Sequence, residues 1–167
     1  MLPDHSIIIH PFEPVWTSKS TILVLGTFPS AASREKQFYY GHTRNRFWPL
    51  LAKLYGESIP QTTDQKKSLL IEHNIAVWDV LASCEITGSD DSSIRNPLPN
   101  DISKLVSEGA VEKILLNGKN AYELYMKYCA PEIKLPAICL ASTSPANAAW
   151  GLDQLLEVWG AELLDQL

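Results

Sequence analysis

One segment of the sequence combines aromatic rings with amide, imidazole and guanidinium side chains. Residues 37–48 are Gln-Phe-Tyr-Tyr-Gly-His-Thr-Arg-Asn-Arg-Phe-Trp, with hydrogen-bonding groups between two aromatic clusters. Aromatic rings stack on bases, and polar side chains contact base edges or phosphates. Candidate contacts are therefore Tyr40, His42, Arg44 and Asn45. The alternative is a packed surface loop whose aromatic residues cover the edge of a sheet.

Two short turns also carry exposed polar groups. Gly26-Thr27-Phe28 follows an apolar run, and glycine lets a ligand approach backbone amides that suit a base or a phosphate. Residues 142–147 offer hydroxyls and N–H groups of the kind that contact DNA phosphates. The candidate DNA contacts there are Ser142, Ser144, Pro145, Ala146 and Asn147. A simple N-cap of the final helix is the competing interpretation.

The elements that position these turns can be read from apolar patterns. Four apolar runs at 21–25, 75–78, 111–116 and 137–141 predict strands, and helical patterns lie at 47–54, 66–73, 102–106, 120–128 and 152–164. This alternation predicts a three-layer α/β/α sandwich with a mostly parallel sheet of about four strands. Ligands bind beyond the carboxyl ends of such strands. We therefore expect the site at Gly26, Asp79, Asn117, Ser142 and the loop from Ser30 to Asn45.

Length and charge limit the kinds of partner. The 167 residues predict one domain, 1–167, and the net charge of −5 counts against extended contact with a phosphate backbone. A basic cluster stands out nonetheless, formed by Arg34, Lys36, Arg44 and Arg46. It is either a local DNA-binding patch or a solvated charged face.

Metal and membrane functions find little support. The three cysteines share no close spacing, the four histidines form no HxxxH pair, and the HxE…PCxxC pattern of zinc deaminases is missing. We therefore expect reduced thiols, no metal and no cofactor. No signal peptide and no apolar run of about 20 residues is present, which predicts a protein outside the membrane. We expect a cytoplasmic monomer, associated with the nucleoid when acting.

Taken together, these segments resemble the uracil-DNA glycosylase superfamily, most closely its hypoxanthine-DNA glycosylase branch. The resemblance spans about residues 10–160, and the stretch His-x-x-Asn-Arg-Phe-Trp at 42–48 is fairly specific. It is carried by residues 25–30, 39–48 and 142–147. Residues 77–81 and Arg95-Asn96-Pro97 correspond to the superfamily's base-reading strand and loop.

The resemblance implies a role for individual residues. Phe28 stands where most relatives have an Asp or Asn that positions water, and in the hypoxanthine branch the catalytic asparagine corresponds to Asn45. Tyr40 is implied to stack on the flipped base, and Asp79 to read its edge, unless Asp79 only caps the following segment. Ser142 replaces a histidine of many relatives, Ala146 or Asn147 takes the place of their wedge residue, and Thr43 and Ser30 replace a proline and a glycine.

These observations predict a monofunctional DNA glycosylase. No motif lysine suggests a Schiff-base nucleophile, so hydrolysis without strand cleavage is expected. The expected substrate is a deaminated base, preferably hypoxanthine, flipped out of double- or single-stranded DNA. The alternatives are a glycosylase for uracil or mismatches, a non-catalytic nucleic-acid-binding module, and a small-molecule hydrolase.

Overall fold

The computed structural model describes residues 6–164, within which seven strands and six α-helices follow one another. The strands are β1 (Ile8–Ile9), β2 (Ile22–Gly26), β3 (Ile75–Asp79), β4 (Leu81–Thr87), β5 (Asp90–Pro99), β6 (Lys113–Asn117) and β7 (Ala137–Leu140). The helices are α1 (Ala31–Lys36), α2 (Phe47–Leu54), α3 (Thr63–Glu72), α4 (Ile102–Glu108), α5 (Lys119–Tyr128) and α6 (Leu152–Leu163).

The central sheet is parallel and has the strand order β3-β2-β6-β7. Strand β2 pairs with both β3 and β6, so that Ile22 lies opposite Ile75 on one side and Lys113 on the other. All five residues of β2 are buried, as expected for a strand covered on both faces. The predicted four-stranded parallel sheet is therefore confirmed.

Two apolar cores flank this sheet and make the three layers. Ile22 and Val24 point into one core, which also receives α2, α3 and α6. Leu23 and Leu25 point into the other, which receives α4 and α5. The alternation follows from the two-residue period of a strand, whose successive side chains point to opposite faces. The predicted α/β/α sandwich is confirmed.

A second sheet was missed by the sequence analysis. Strands β1, β4 and β5 form an antiparallel sheet in the order β1-β4-β5. The turn between β4 and β5 contains Gly88 with a φ of 59°. Strand β5 is rich in Asp, Ser, Asn and Pro, which are poor strand formers, so its composition hid it.

The segment predicted as a loop from Ser30 to Asn45 contains helix α1, so that prediction was wrong. Ser30 caps this helix by accepting a hydrogen bond from the N–H of Ser33 at 3.1 Å. Helix α3 likewise begins three residues earlier than predicted, because Thr62 and Gln65 form a capping box.

The single-domain prediction covers 1–167, of which residues 1–5 and 165–167 lie outside the described part. Within residues 6–164, no helix combines the length and apolar character needed to cross a membrane. The three cysteines, Cys84, Cys129 and Cys139, carry free thiols.

Candidate functional site

A pocket of about 1080 Å³ opens at the carboxyl ends of the parallel strands. The ends of β2 and β3 contribute Gly26 and Asp79, and the turn after β2 contributes Thr27 and Phe28. Other lining residues are Tyr40, Asn45, Asn117, Ser142, Thr143, Ser144, Ala146 and Asn147. The strand-end rule therefore located the pocket correctly.

Asn45 is held by hydrogen bonds from two sides. Its Oδ1 accepts from the backbone N–H of Phe47 at 2.9 Å and from the hydroxyl of Thr143 at 2.9 Å. Thr143, which is fully buried, also bonds Asn117 at the end of β6. Asn45 is thus tied both to the start of α2 and to the loop that follows β7.

Asp79 is buried at the end of β3 and pairs with His10. The His10 Nε2 lies 2.8 Å from the Asp79 Oδ2, and both side chains are only 5% exposed. The second carboxylate oxygen faces Gly26, where a Cβ would lie 2.5 Å from Oδ1. No hydrogen bond from the following segment ends on this carboxylate within the described residues, so capping does not account for it.

Tyr40 lies in the pocket in a strained backbone conformation, with a φ of 52°, which is rare for a bulky residue. Its ring packs on Phe47 with the centroids 4.1 Å apart. Its hydroxyl oxygen is buried and lacks a hydrogen-bond partner of ordinary geometry among residues 6–164. Burial and then the Asp79 charge raise the pKa of Tyr40, which the nearby Asn117 amide opposes. The phenol therefore stays neutral.

The loop at 142–147 is braced by its own side chains. The hydroxyl of Ser142 accepts from the N–H of Ser144, and the hydroxyl of Ser144 accepts from the N–H of Ala146, each at 3.1 Å. Helix α6 begins at Leu152 with Gly151 as its N-cap. The alternative that residues 142–147 cap the final helix is therefore wrong.

The model of the Uracil DNA glycosylase superfamily matches residues 14–161. The chain belongs to this superfamily. It is therefore a DNA glycosylase, an enzyme with DNA as its substrate. The non-catalytic module and the small-molecule hydrolase are set aside by this result.

Individual relatives agree with the family assignment. A Hypoxanthine DNA glycosylase of Methanosarcina barkeri is 33% identical over 140 residues, and one of Methanosarcina acetivorans is 37% identical over 142 residues. Each match covers 81% of this chain and 86% of the relative. A solution NMR structure of a proposed uracil DNA glycosylase from Methanosarcina acetivorans superposes with a TM-score of 0.81 at 31% identity, covering 95% of this chain and 97% of the other.

The aromatic segment of this glycosylase is mostly core. Phe38, Tyr39, Phe47 and Trp48 are all buried, with at most 5% of each residue exposed. These four side chains therefore pack inside the protein and are not available to stack on a base, contrary to the prediction for the aromatic clusters of residues 37–48. Tyr40 differs because it is partly exposed and lines the pocket.

Three of the four residues in the basic cluster donate hydrogen bonds to backbone carbonyls of the protein. Arg34 donates to the carbonyls of Pro29 and Gly88. Lys36 donates to the carbonyl of Gly41. Arg44 is exposed and, among residues 6–164, its guanidinium has no protein partner.

Arg46, the fourth, anchors the loop after β7. Its guanidinium donates to the backbone carbonyls of Thr143, Ser144, Asn147 and Trp150. Arg46 therefore fastens the Asn45 segment to the 142–150 loop.

Several predicted residues lie outside the pocket lining. His42 and Arg44 are exposed beside it, and Pro145 lies between two lining residues. Arg95, Asn96 and Pro97 lie in β5 and line a separate depression. Assigning residues 95–97 to a base-reading loop at this pocket was therefore wrong.

Other pocket features were missed by sequence reasoning. The tip of the β4–β5 hairpin forms one wall, where Asp91 lies. Burial raises the pKa of Asp91 above its usual range, and Asn120 lies 3.4 Å from its carboxylate. His10 was also missed, because no local pattern links it to a partner 69 residues away. Lys119 lies at the rim, exposed and 3.8 Å from Glu123.

Proposed function

We propose that this DNA glycosylase excises hypoxanthine, by hydrolysing the N-glycosidic bond of deoxyinosine flipped out of DNA. The observation that carries the proposal is the geometry of Asp79, which lines the pocket and has one carboxylate oxygen paired with His10. Relatives named Hypoxanthine DNA glycosylase that match 81% of this chain support it.

The His10 contacts define what Asp79 offers to a base. The His10 Nδ1 accepts a long hydrogen bond, 3.5 Å, from the backbone N–H of Phe12. The Nε2 therefore carries the proton and donates to Oδ2 of Asp79 at 2.8 Å. Oδ2 of Asp79 is thus taken by His10, and Oδ1 is left to accept from a donor on the base.

An acceptor suits hypoxanthine and disfavours adenine. Hypoxanthine presents an N1–H donor, whereas adenine has an acceptor at N1 that would face the Asp79 carboxylate. A buried polar group left without a partner costs about 1–3 kcal/mol. Uracil also has a comparable N3–H, but a pocket that admits a purine holds a pyrimidine loosely. Guanine shares the N1–H and carries an additional 2-amino group that needs an acceptor of its own.

The remaining residues supply binding and electrostatics. Tyr40 stacks on the flipped base, and Asn45 orients the attacking water. An amide is a poor base, so Asn45 does not remove a proton from the water. It acts by orienting the water and by stabilising the charge that develops in the transition state. The backbone amides of Thr27 and Phe28 hold the departing base as an anion, while the sugar passes through a cation-like state. Residues 142–147 contact the phosphates that flank the flipped base.

Base release from a set of oligonucleotides tests this proposal. Duplexes carrying hypoxanthine, uracil, xanthine, adenine or guanine are incubated with excess enzyme, and the released base is quantified. We expect hypoxanthine to be released fastest, uracil slowly or not at all, and adenine and guanine not at all. Faster release of uracil than of hypoxanthine would refute the proposed substrate.

Variants of Asp79 and Asn45 test the assigned roles. Asp79→Asn adds an amide donor, so release of hypoxanthine should fall about tenfold and discrimination against adenine should weaken. Asn45→Ala should abolish release while the melting temperature stays close to that of the parent. Unchanged rates and discrimination in both Asp79→Asn and Asp79→Ala would exclude base reading by this carboxylate.

A further inference from the structure

The hydrogen bonds around Asn45 fix which end of its amide is engaged. The backbone N–H of Phe47 lies 2.9 Å from Oδ1 of Asn45. A backbone N–H can donate only to an acceptor, so this contact requires the carbonyl end of the amide. The orientation of Asn45 therefore follows from the position of a main-chain donor at the start of α2.

A second main-chain donor, the N–H of Thr143, fixes the orientation of the Asn117 amide in the same way. The N–H of Thr143 donates to Oδ1 of Asn117 at 3.0 Å, which leaves Nδ2 of Asn117 to donate to the Thr143 hydroxyl at 3.0 Å. A hydroxyl has one proton. Because it accepts from Asn117, Thr143 gives that proton to Oδ1 of Asn45, 2.9 Å away.

We propose that Thr143 is a positioning residue, which with Asn117 holds the Asn45 amide so that only its Nδ2 remains to bond the substrate or the attacking water. Both hydrogen bonds on Asn45 end at Oδ1, and Nδ2 has no partner among residues 6–164. Asn45 then acts as a donor to the water oxygen. Hydrogen bonds in a chain polarise one another, which strengthens this donor.

The hydroxyl of Thr143 can be removed without releasing its loop. The backbone carbonyl of Thr143 accepts from the N–H of Arg46 at 3.1 Å and from its Nε at 3.3 Å. These contacts do not involve the Thr143 side chain. Thr143→Val keeps the side chain's shape and loses only its hydroxyl, whereas Thr143→Ser keeps the hydroxyl.

Single-turnover kinetics on a deoxyinosine duplex provide the first test, which rests on the proposed function. Thr143→Val should lower the maximal rate by about tenfold or more, while the DNA concentration for half-maximal rate stays within about twofold. Thr143→Ser should stay within about threefold of the parent. The matched control is Ile75→Val, which removes a buried methylene at the amino end of β3, away from the pocket, and should leave both constants unchanged.

A measurement without substrate separates this inference from the proposed function. The side-chain NH₂ signals of Asn45 are identified in nitrogen-edited NMR spectra of DNA-free protein by their loss in Asn45→Ala. Thr143→Val should shift these signals, whereas Thr143→Ser and Ile75→Val should not. If the parent fails to release hypoxanthine yet the signals shift as stated, the substrate is wrong and the positioning role stands. Three results would overturn the positioning role: Asn45 NH₂ signals that do not shift in Thr143→Val, a maximal rate of Thr143→Val equal to that of the parent, or a maximal rate that falls as much in Thr143→Ser as in Thr143→Val.

Discussion

At the scale of single residues, Tyr40 shows how the pocket is prepared in advance. Its φ of 52° is an unfavourable backbone conformation that costs about 1–3 kcal/mol for a non-glycine residue. The packing of its ring on Phe47 maintains that conformation. The aromatic ring is therefore already in place when a base arrives, so little ordering remains to be done on binding.

Substitution of Tyr40 separates stacking from hydrogen bonding. Stacking is worth about 1–3 kcal/mol per base, so Tyr40→Ala should slow single-turnover release of the base by about 5- to 150-fold. Tyr40→Phe should have a mild effect, because the phenol oxygen has no partner of ordinary geometry. Melting temperatures control for folding. Equal losses in the two variants would indicate that the hydroxyl acts in the reaction and would count against stacking.

Gly26 matters because of the space it leaves for Asp79. A Cβ at this position would lie 2.5 Å from Oδ1 of Asp79 and 3.3 Å from the Tyr40 hydroxyl. Gly26→Ala should therefore displace the carboxylate and lower release of hypoxanthine by about tenfold or more. The matched control is Gly109→Ala, whose Cβ would meet ordinary contacts beginning at 3.4 Å. A Gly26→Ala enzyme with a normal single-turnover rate would show that Oδ1 is not needed.

At the scale of elements, the sequence predicted the parallel sheet and failed on the antiparallel one for a physical reason. Strand β2 is buried on both faces, so its run of Ile, Leu and Val is unambiguous. All ten residues of β5 are exposed or partly exposed, and no apolar period marks it. The wall of the pocket that contains Asp91 could therefore not be predicted from the sequence.

The candidate site, like the fold, could be predicted only in part from the sequence. Asp79 could be proposed because it ends a buried strand, and Asn45 because of the resemblance. His10 could not, since its pairing with Asp79 depends on the antiparallel pairing of β1 with β4, and 69 residues separate the two. The relay through Thr143 was equally hidden, because it joins the ends of three separate segments.

Arg46 connects two elements, which gives a prediction at this scale. Its guanidinium satisfies four backbone carbonyls of the 143–150 loop. Hydrogen bonds to charged groups contribute about 1.5–3 kcal/mol, so Arg46→Ala should destabilise the protein by about 2–3 kcal/mol. Arg46→Lys keeps the charge but lacks the planar fork, and we expect it to recover only part of the loss. Denaturant unfolding measures both variants.

Hydrogen exchange in the 142–150 loop distinguishes an Arg46 that anchors this loop from an Arg46 that contacts DNA. If Arg46 acts through the loop, Arg46→Lys should increase hydrogen exchange at the amides of Ser144 and Asn147 in DNA-free protein. These amides donate to Ser142 and to the Ser144 carbonyl, respectively. Unchanged exchange together with weaker DNA binding would assign Arg46 to DNA.

At the scale of the whole molecule, the net charge is −5, and three side chains of the basic cluster are hydrogen-bonded to backbone carbonyls, which leaves few cations of that cluster for DNA. Near the pocket, Arg44 and Lys119 are exposed cations that, among residues 6–164, bind no backbone carbonyl, unlike Lys36. Non-specific electrostatic binding should therefore be weak. We therefore expect affinity to come mainly from stacking and hydrogen bonds inside the pocket, which favours recognition of a flipped base over binding along the duplex.

The dependence of DNA binding on salt measures this distribution of charge directly. Each phosphate neutralised on a duplex contributes about 0.9 to the slope of log K against log salt concentration. With Arg44 and Lys119 as the contacts, the slope should be shallow, about −2. Arg44→Ala and Lys119→Ala should each reduce its magnitude by about 0.9. The matched control is Lys134→Ala, an exposed cation before β7, at the sheet edge opposite the pocket. A steep slope, or an equal change in Lys134→Ala, would mean that DNA contacts a wider surface than the pocket rim.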